Sequence, residues 1–260
     1  MNDAIETKRI GKYLIEIHND DSPESPREWD NLGTMLCFHR RYNLGDKHEY
    51  DFKDYTGWEE MKADIIKKEK PLVILPLFLY DHSGITMSTG DFNDRWDSGQ
   101  VGFIFVSKKK AQEEYNLKTF TKNRIKKIEE YLKGEVETYD QYLRGDIYGY
   151  KVFEILDENE DENDDDNREE LDACWGFYGQ ESCMSEAEGI VKYYLEAPKF
   201  KIKHIMDDEK VSEFKTDSEF IHFARKVAVE NEDEELSILS VGEAKDYLEN
   251  YCDNLKLMTD

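Results

Sequence analysis

Through residue 107 the apolar positions fall in short runs or at alternate residues, the pattern of strands joined by polar loops. Tyr13–His18 (YLIEIH) alternates apolar and polar as a half-buried strand does. A long turn follows over Asp20–Gly33, broken by Pro23, Pro26 and Gly33, and Thr34–Tyr42 (TMLCFHRRY) predicts a second strand. Leu72–Leu79 predicts a buried strand. Pro76 within it favours a bulge or an edge position, because proline has no N–H to give to a ladder. Ile85–Ser88 and Val101–Ser107 complete this set, with Thr89–Gln100 as the loop between them. One helix interrupts the strands at Gly57–Lys70, where Trp58, Met61, Ile65 and Ile66 recur at helical spacing.

Then the period lengthens. Lys108–Leu143 predicts helix in two pieces, broken near Thr119–Thr121 or at Gly134, with Ile125, Ile128, Tyr131, Leu132 and Val136 as the apolar stripe. Lys122, Arg124, Lys126 and Lys127 are the most basic cluster in the chain and read as a solvated helix face. Asp146–Leu156 predicts a strand and Ala173–Tyr178 its hairpin partner, with the acidic run between them as a tip in solvent. Beyond Gly179 helices are expected at Ser185–Ala197, with Ser185 and Glu188 as a capping box, at Asp217–Val229 and at Val241–Leu255. Short strands are expected at Phe200–Ile205 and Leu236–Leu239. The predicted class is α+β: a mostly antiparallel sheet with flanking helices over 1–179, then a smaller acidic region of helices and strands over 180–260.

Charge sharpens that division. Residues 1–150 hold 28 acidic and 23 basic side chains, whereas 151–260 hold 32 and 12, so most of the formal net charge of −25 belongs to one end. Asp157–Glu170 carries ten acids in 14 positions and Glu230–Glu235 five in six. Self-repulsion on this scale opposes compaction, so such an end calls for a solvation role or a cationic partner. The candidate partner-binding residues are Asp161, Glu162, Asp164, Asp165, Asp166 and Glu169 in the first run, and Glu232, Asp233, Glu234 and Glu235 in the second. The same charge disfavours direct contact with nucleic acid or anionic lipid. Pro71–Tyr80, the longest apolar run, is too short to span a bilayer. The opening residues lack the apolar centre of a secretory signal. Cys37, Cys174, Cys183 and Cys252 form no CxxC pair, which fits reduced thiols in a cytoplasm.

Signals for catalysis and metals are weak. A calcium loop wants Gly at its sixth position and Glu at its twelfth. Counting from Asp157 places Glu162 and Arg168 there, and counting from Asp161 places Asp166 and Asp172. The histidines form no zinc motif. His82 follows Asp81 at a predicted strand end, and Asp20, Asp21, Asp30 and Asp97 lie in nearby loops with Trp29 and Trp96. These loops are where an acid–base or metal-assisted enzyme would have its site. Cys174 has no visible base to activate it, and the glycines of 98–102 and 145–149 lack phosphate-cradling spacing. No catalytic residue, metal ligand or cofactor is expected.

The segments SPREWDNLGTMLCFHRRYNLGDKH, PLFLYDHSGITM, WDSGQVGFIFV, GEVETYDQYLRGDIYGYKV and CWGFYG resemble a family of small uncharacterised proteins of tailed phages and bacterial mobile elements. The resemblance covers about residues 13–179. That family has no assigned activity, so the resemblance implies context alone: an accessory phage gene acting in the host cytoplasm, where proteins that oppose host defence are frequent. Charge and context together predict a non-enzymatic phage inhibitor, anti-CRISPR or anti-restriction. Its acidic surface would mimic nucleic acid before the basic channel of a defence nuclease. The alternatives are a phage enzyme sited in the strand-end loops and an acidic accessory protein of another role.

Overall fold

A computed structural model describes residues 4–94, 96–157, 160–197, 200–204, 211–231, 240–252 and 255–258. Its first elements are β1 (Glu6–Ile10), β2 (Tyr13–Asn19), β3 (Thr34–Cys37), α1 (Trp58–Glu69), β4 (Pro71–Asp81) and β5 (Ile85–Ser88). Next come β6 (Ser98–Ser107), α2 (Lys108–Tyr115), α3 (Lys122–Arg144), β7 (Ile147–Ile155), β8 (Arg168–Tyr178) and α4 (Gln180–Glu196). The last are β9 (Phe200–His204), β10 (Val211–Phe214), α5 (Asp217–Glu230), α6 (Val241–Tyr251) and β11 (Leu255–Met258). Every strand pairing among the described residues is antiparallel, so the class is α+β as its periodicities predict. The chain divides into two compact units, Met1–Ala187 and Glu188–Asp260, with the division inside α4 and within the soft boundary zone of residues 180–198 that the change of texture after Gly179 suggests.

The first unit holds two four-stranded sheets, β1-β2-β7-β8 and β3-β6-β4-β5. The second of these is buried on both faces. Met61 and Ile65 of α1 pack on Leu36, Phe103 and Phe105, while Ile128, Leu132, Val136 and Tyr139 of α3 pack on Met35, Leu77, Ile104 and Val106. Alternate residues of β6 thus serve opposite layers, and Leu132→Ala would cost about 2–5 kcal/mol through the cavity it leaves. Tyr131, placed in the α3 stripe by spacing, is instead half exposed. The expected break between the helical pieces falls at 116–121, and Gly134 continues the helix. Pro76 sits in β4, an inner strand. β5 pairs only with Phe78–Asp81, so Pro76 has β6 alone as a neighbour, and a register shift follows at Leu77/Phe78.

β3 ends at Cys37, well short of the expected Tyr42. The cause is local: the Nδ1 of His39 accepts the backbone N–H groups of Arg41 and Tyr42 at 3.3 Å each, turning the chain out of the ladder. The connections on either side of β3 are tied together by a buried ion cluster. Arg27 donates to both carboxylate oxygens of Asp46 at 2.8 Å, to Glu135 at 3.1 Å and to the Gly33 carbonyl at 2.8 Å. Glu135 also accepts the N–H groups of Leu32 and Gly33, and Asp46 accepts that of Met35. Gly33 is required there, since a Cβ would stand 2.7–2.8 Å from Leu132, Glu135 and Ile104.

The second unit has a sheet in the order β10-β9-β11. Its core is Ile202, Phe220, Ala224, Ala228, Ala244, Tyr247, Leu248, Cys252 and Leu255. The small alanines of α5 and α6 let the helices approach closely. The expected closing helix stops at Tyr251, and its last predicted residue, Leu255, begins β11 instead. The alternation of LKLM has won over helical spacing there. A full capping box occurs at Ser240 and Glu243. The one expected at Ser185 does not, because α4 already begins at Gln180 and Ser185 lies in its second turn. The expected strand Leu236–Leu239 lies outside the described residues.

Candidate partner-binding site at the acidic hairpin

β7 and β8 pair from Ile155↔Arg168 to Ile147↔Tyr178, confirming a hairpin whose end is the connection 156–167. β8 starts at Arg168, not at Ala173, so Glu169, Glu170 and Asp172 are strand residues. Cross-strand partners make this tolerable: Lys151 meets Glu170 at 2.7 Å, and the Tyr150 hydroxyl donates to Asp172 at 3.1 Å. Burial, with that hydrogen bond, pushes the Tyr150 phenol well above its ordinary pKa.

The connection is latched by one side chain. Asn167 is 2% exposed; its amide nitrogen donates to the carbonyls of Asp157 (2.9 Å) and Asp161 (3.2 Å), and its amide oxygen accepts the Asp157 N–H at 2.8 Å. Several acids are occupied locally. Asp164 accepts the Asp166 N–H and caps the 3-10 turn Asp165–Asn167. Asp161 accepts the backbone and side-chain N–H groups of Asn163 at 3.0 Å, which hold its carboxyl below the usual range. Glu162 pairs with Arg9 at 2.7 Å, and Arg168 bridges Asp165 and Glu16. Burial lowers the Arg168 pKa, but the hydrogen bond to Asp165 and the charge of Glu16 together raise it above the ordinary value.

The candidate residues therefore separate. Asp161, Glu162, Asp164 and Asp165 shape the tip. Asp166 and Glu169, together with Glu160, are exposed and carry no side-chain partner among the described residues. Glu232, Asp233, Glu234 and Glu235 lie outside the described residues.

A cleft of about 710 Å³ opens on the face of β2, β7 and β8, with Asn163 of the tip in its lining. Glu16 and His18, which the strand alternation left on a polar face, are each only 9% exposed here. His18 Nε2 lies 3.1 Å from Glu16 Oε2, and Arg168 donates to Glu16 Oε1 at 2.8 Å while its guanidinium sits 4.7 Å above the Phe153 ring. Trp175 fills the space left by Gly149, where a Cβ would stand 2.1 Å from the indole. Sequence reasoning missed Glu16, His18, Asn167 and Arg168. The available signal was that Asn167 and Arg168 are the one adjacent pair among the four non-acidic positions of the run 157–170.

The strand-end residues fall into separate neighbourhoods. Asp20 and Asp21 line this cleft. Trp29 packs edge-on against Tyr178 at 5.4 Å. Asp81 pairs with Arg41 and lies 3.8 Å from His39, while His82 meets Asp97 at 3.0 Å on an exposed surface. Trp96 is 93% exposed and walls nothing. Among the described residues no three His, Cys, Asp or Glu side chains group to hold a metal ion, and no helix is long and apolar enough to cross a membrane. Comparison with known proteins gives no match: no family model, no curated protein and no solved structure matches this chain.

Proposed function

We propose that this is a non-enzymatic binding protein whose acidic hairpin engages a basic, nucleic-acid-binding protein. In finer form, it is a phage-encoded inhibitor of a host defence nuclease, of anti-CRISPR or anti-restriction type, working in the host cytoplasm. The observation that carries the reading is the division of labour in the tip. Four acids and Asn167 fix the backbone, and Glu160, Asp166 and Glu169 stand on that fixed frame with no side-chain partner among the described residues. Carboxylates held in place lose less conformational entropy on meeting a row of Lys and Arg than flexible ones do. The resemblance to phage and mobile-element proteins over residues 13–179 supports the choice of partner class.

The test is a cleavage assay with RNA-guided and restriction nucleases in the presence of the full chain. Inhibition should fall steeply with salt and should weaken by about tenfold or more in Glu160→Gln/Asp166→Asn/Glu169→Gln. Inhibition indifferent to both salt and these substitutions, or none against any nuclease, would refute the reading. The Glu16–His18 contact in the adjoining cleft favours a second reading, acid–base chemistry with His18 as the proton-transfer group and Glu16 orienting it. Turnover of a substrate lost in His18→Gln and kept in the triple hairpin variant would select that reading.

A further inference from the structure

A cleft of different chemistry lies beside the other sheet of the first unit. It occupies about 940 Å³ among the end of β3, the connection 38–56 and the start of α1. Aromatic rings form its walls. Phe52 packs on Phe38 and Trp58 with centroids 5.9 and 4.3 Å apart, and Tyr42, 36% exposed, stacks in parallel on His39 at 4.9 Å. Arg40, Lys47 and Lys53 line the same cleft, exposed and without a carboxylate partner among the described residues. Neighbouring cations differ: Arg41 is held by Asp81 and Lys68 by Asp64.

Both acids in the lining are already engaged. Asp46 is held bidentate by Arg27, and Asp51 accepts the Lys53 N–H as cap of the 3-10 turn Phe52–Asp54. In a chain of net charge −25 this cleft has a local excess of positive charge. The Nδ1 of His48 is the buried side-chain polar atom left without a partner among the described residues, and His48 lines the cleft. Its Nε2 lies 3.2 Å from the Cys37 carbonyl, which only accepts, so Nε2 carries the proton and Nδ1 is an acceptor with no donor. A buried acceptor without a donor is costly, but the atom is shut off from solvent, so it belongs to the floor of the cleft and not to its ligand-facing surface.

We propose that this cleft binds a nucleoside monophosphate. The flat base would lie against Tyr42, Phe38 and Phe52, and the phosphate would be met by Arg40, Lys47 and Lys53. Aromatic faces favour a stacked planar ring whatever its identity, and clustered Lys and Arg favour a dianion over a single carboxylate. The cleft volume suits a ligand of that size. The proposal does not rest on the hairpin reading.

Isothermal titration of the full chain tests it, with AMP, adenosine, inorganic phosphate and a short single-stranded oligodeoxynucleotide as separate titrants. AMP should saturate and bind at least about tenfold more tightly than adenosine or phosphate. Arg40→Gln/Lys47→Gln/Lys53→Gln should weaken AMP by about tenfold or more at an unchanged melting temperature, since all three side chains are exposed. Tyr42→Ala should weaken it several-fold, and the triple hairpin variant should bind AMP as the parent does. The proposal is overturned by absence of saturation at millimolar AMP, by phosphate binding as well as AMP, or by an unchanged triple cleft variant. Tighter binding of the oligonucleotide than of AMP overturns it in favour of a strand-binding groove.

Discussion

The hairpin end and the aromatic cleft solve opposite electrostatic problems within one unit. At the hairpin the surplus is negative, and the chain spends its few local cations, Arg9 and Arg168, on shaping the backbone. At the cleft the two acids are engaged by Arg27 and by a turn, and three cations are left over. In both places the proposed role rests on which charges remain after the structural ones have been paired. A count of charges along the sequence would have found the first region and overlooked the second.

The sharpest way to break the contrast is at Arg27, whose side chain is 5% exposed. Arg27→Met leaves Asp46 and Glu135 buried without their cation and should cost about 3–5 kcal/mol in chemical denaturation. In whatever fraction remains folded, a released Asp46 carboxylate should also lower the affinity of the cleft for anions. Next in size is Asn167→Ala, which removes three hydrogen bonds from a buried position. It should cost about 1–3 kcal/mol and speed amide exchange across 157–167, with exchange in α3 and β6 little changed.

Thiol chemistry separates exposed from enclosed positions. Cys174 is exposed, whereas Cys37, Cys183 and Cys252 are buried. Burial, aided by Asp46 and opposed by Arg27, pushes the Cys37 thiol up to about 12, and burial, aided by Cys174, pushes Cys183 up to about 11. Mass spectrometry after brief alkylation of the native chain should therefore find Cys174 labelled first, and the others only after unfolding. The smallest effect concerns acid. The Asp161 carboxyl is held below its ordinary 3.8 by the Asn163 N–H groups, so its contribution is fully present above that value. It is lost as pH falls through the lowered one. An NMR titration of the Asn163 amide should show its midpoint below 3.8.

Much of the fold was legible because burial imposes a period. The α1 stripe, the α2–α3 break, β6 and the β7–β8 hairpin all follow from spacing. What escaped was decided by side chains acting on backbone. His39 ends β3 by capturing two N–H groups, which a strand pattern through Tyr42 does not reveal. Glu16 and His18 looked like the wet face of YLIEIH, yet Arg168, far along the chain, closes over them. The hairpin tip was legible in position but not in form, since one Asn among ten acids holds it. The cleft depends on residues 37–58 meeting in space, and their spacing in sequence matches no motif.

β8 ends its sheet, and along its length the register shifts between Val152/Phe153 and between Tyr148/Gly149, while Glu169 and Asp172 punctuate it. An open strand edge is an invitation to a second copy of the same strand. Kinks and like charges refuse it, because two such edges brought together would set carboxylate against carboxylate. The strand thus carries its own guard against edge pairing in its kinks and its negative charge. That guard weakens as proton uptake brings the net charge of −25 toward zero. With Ala173 and Trp175 exposed on the same strand, the chain should associate most readily near neutrality of charge, whereas in stronger acid its 35 Lys and Arg restore repulsion.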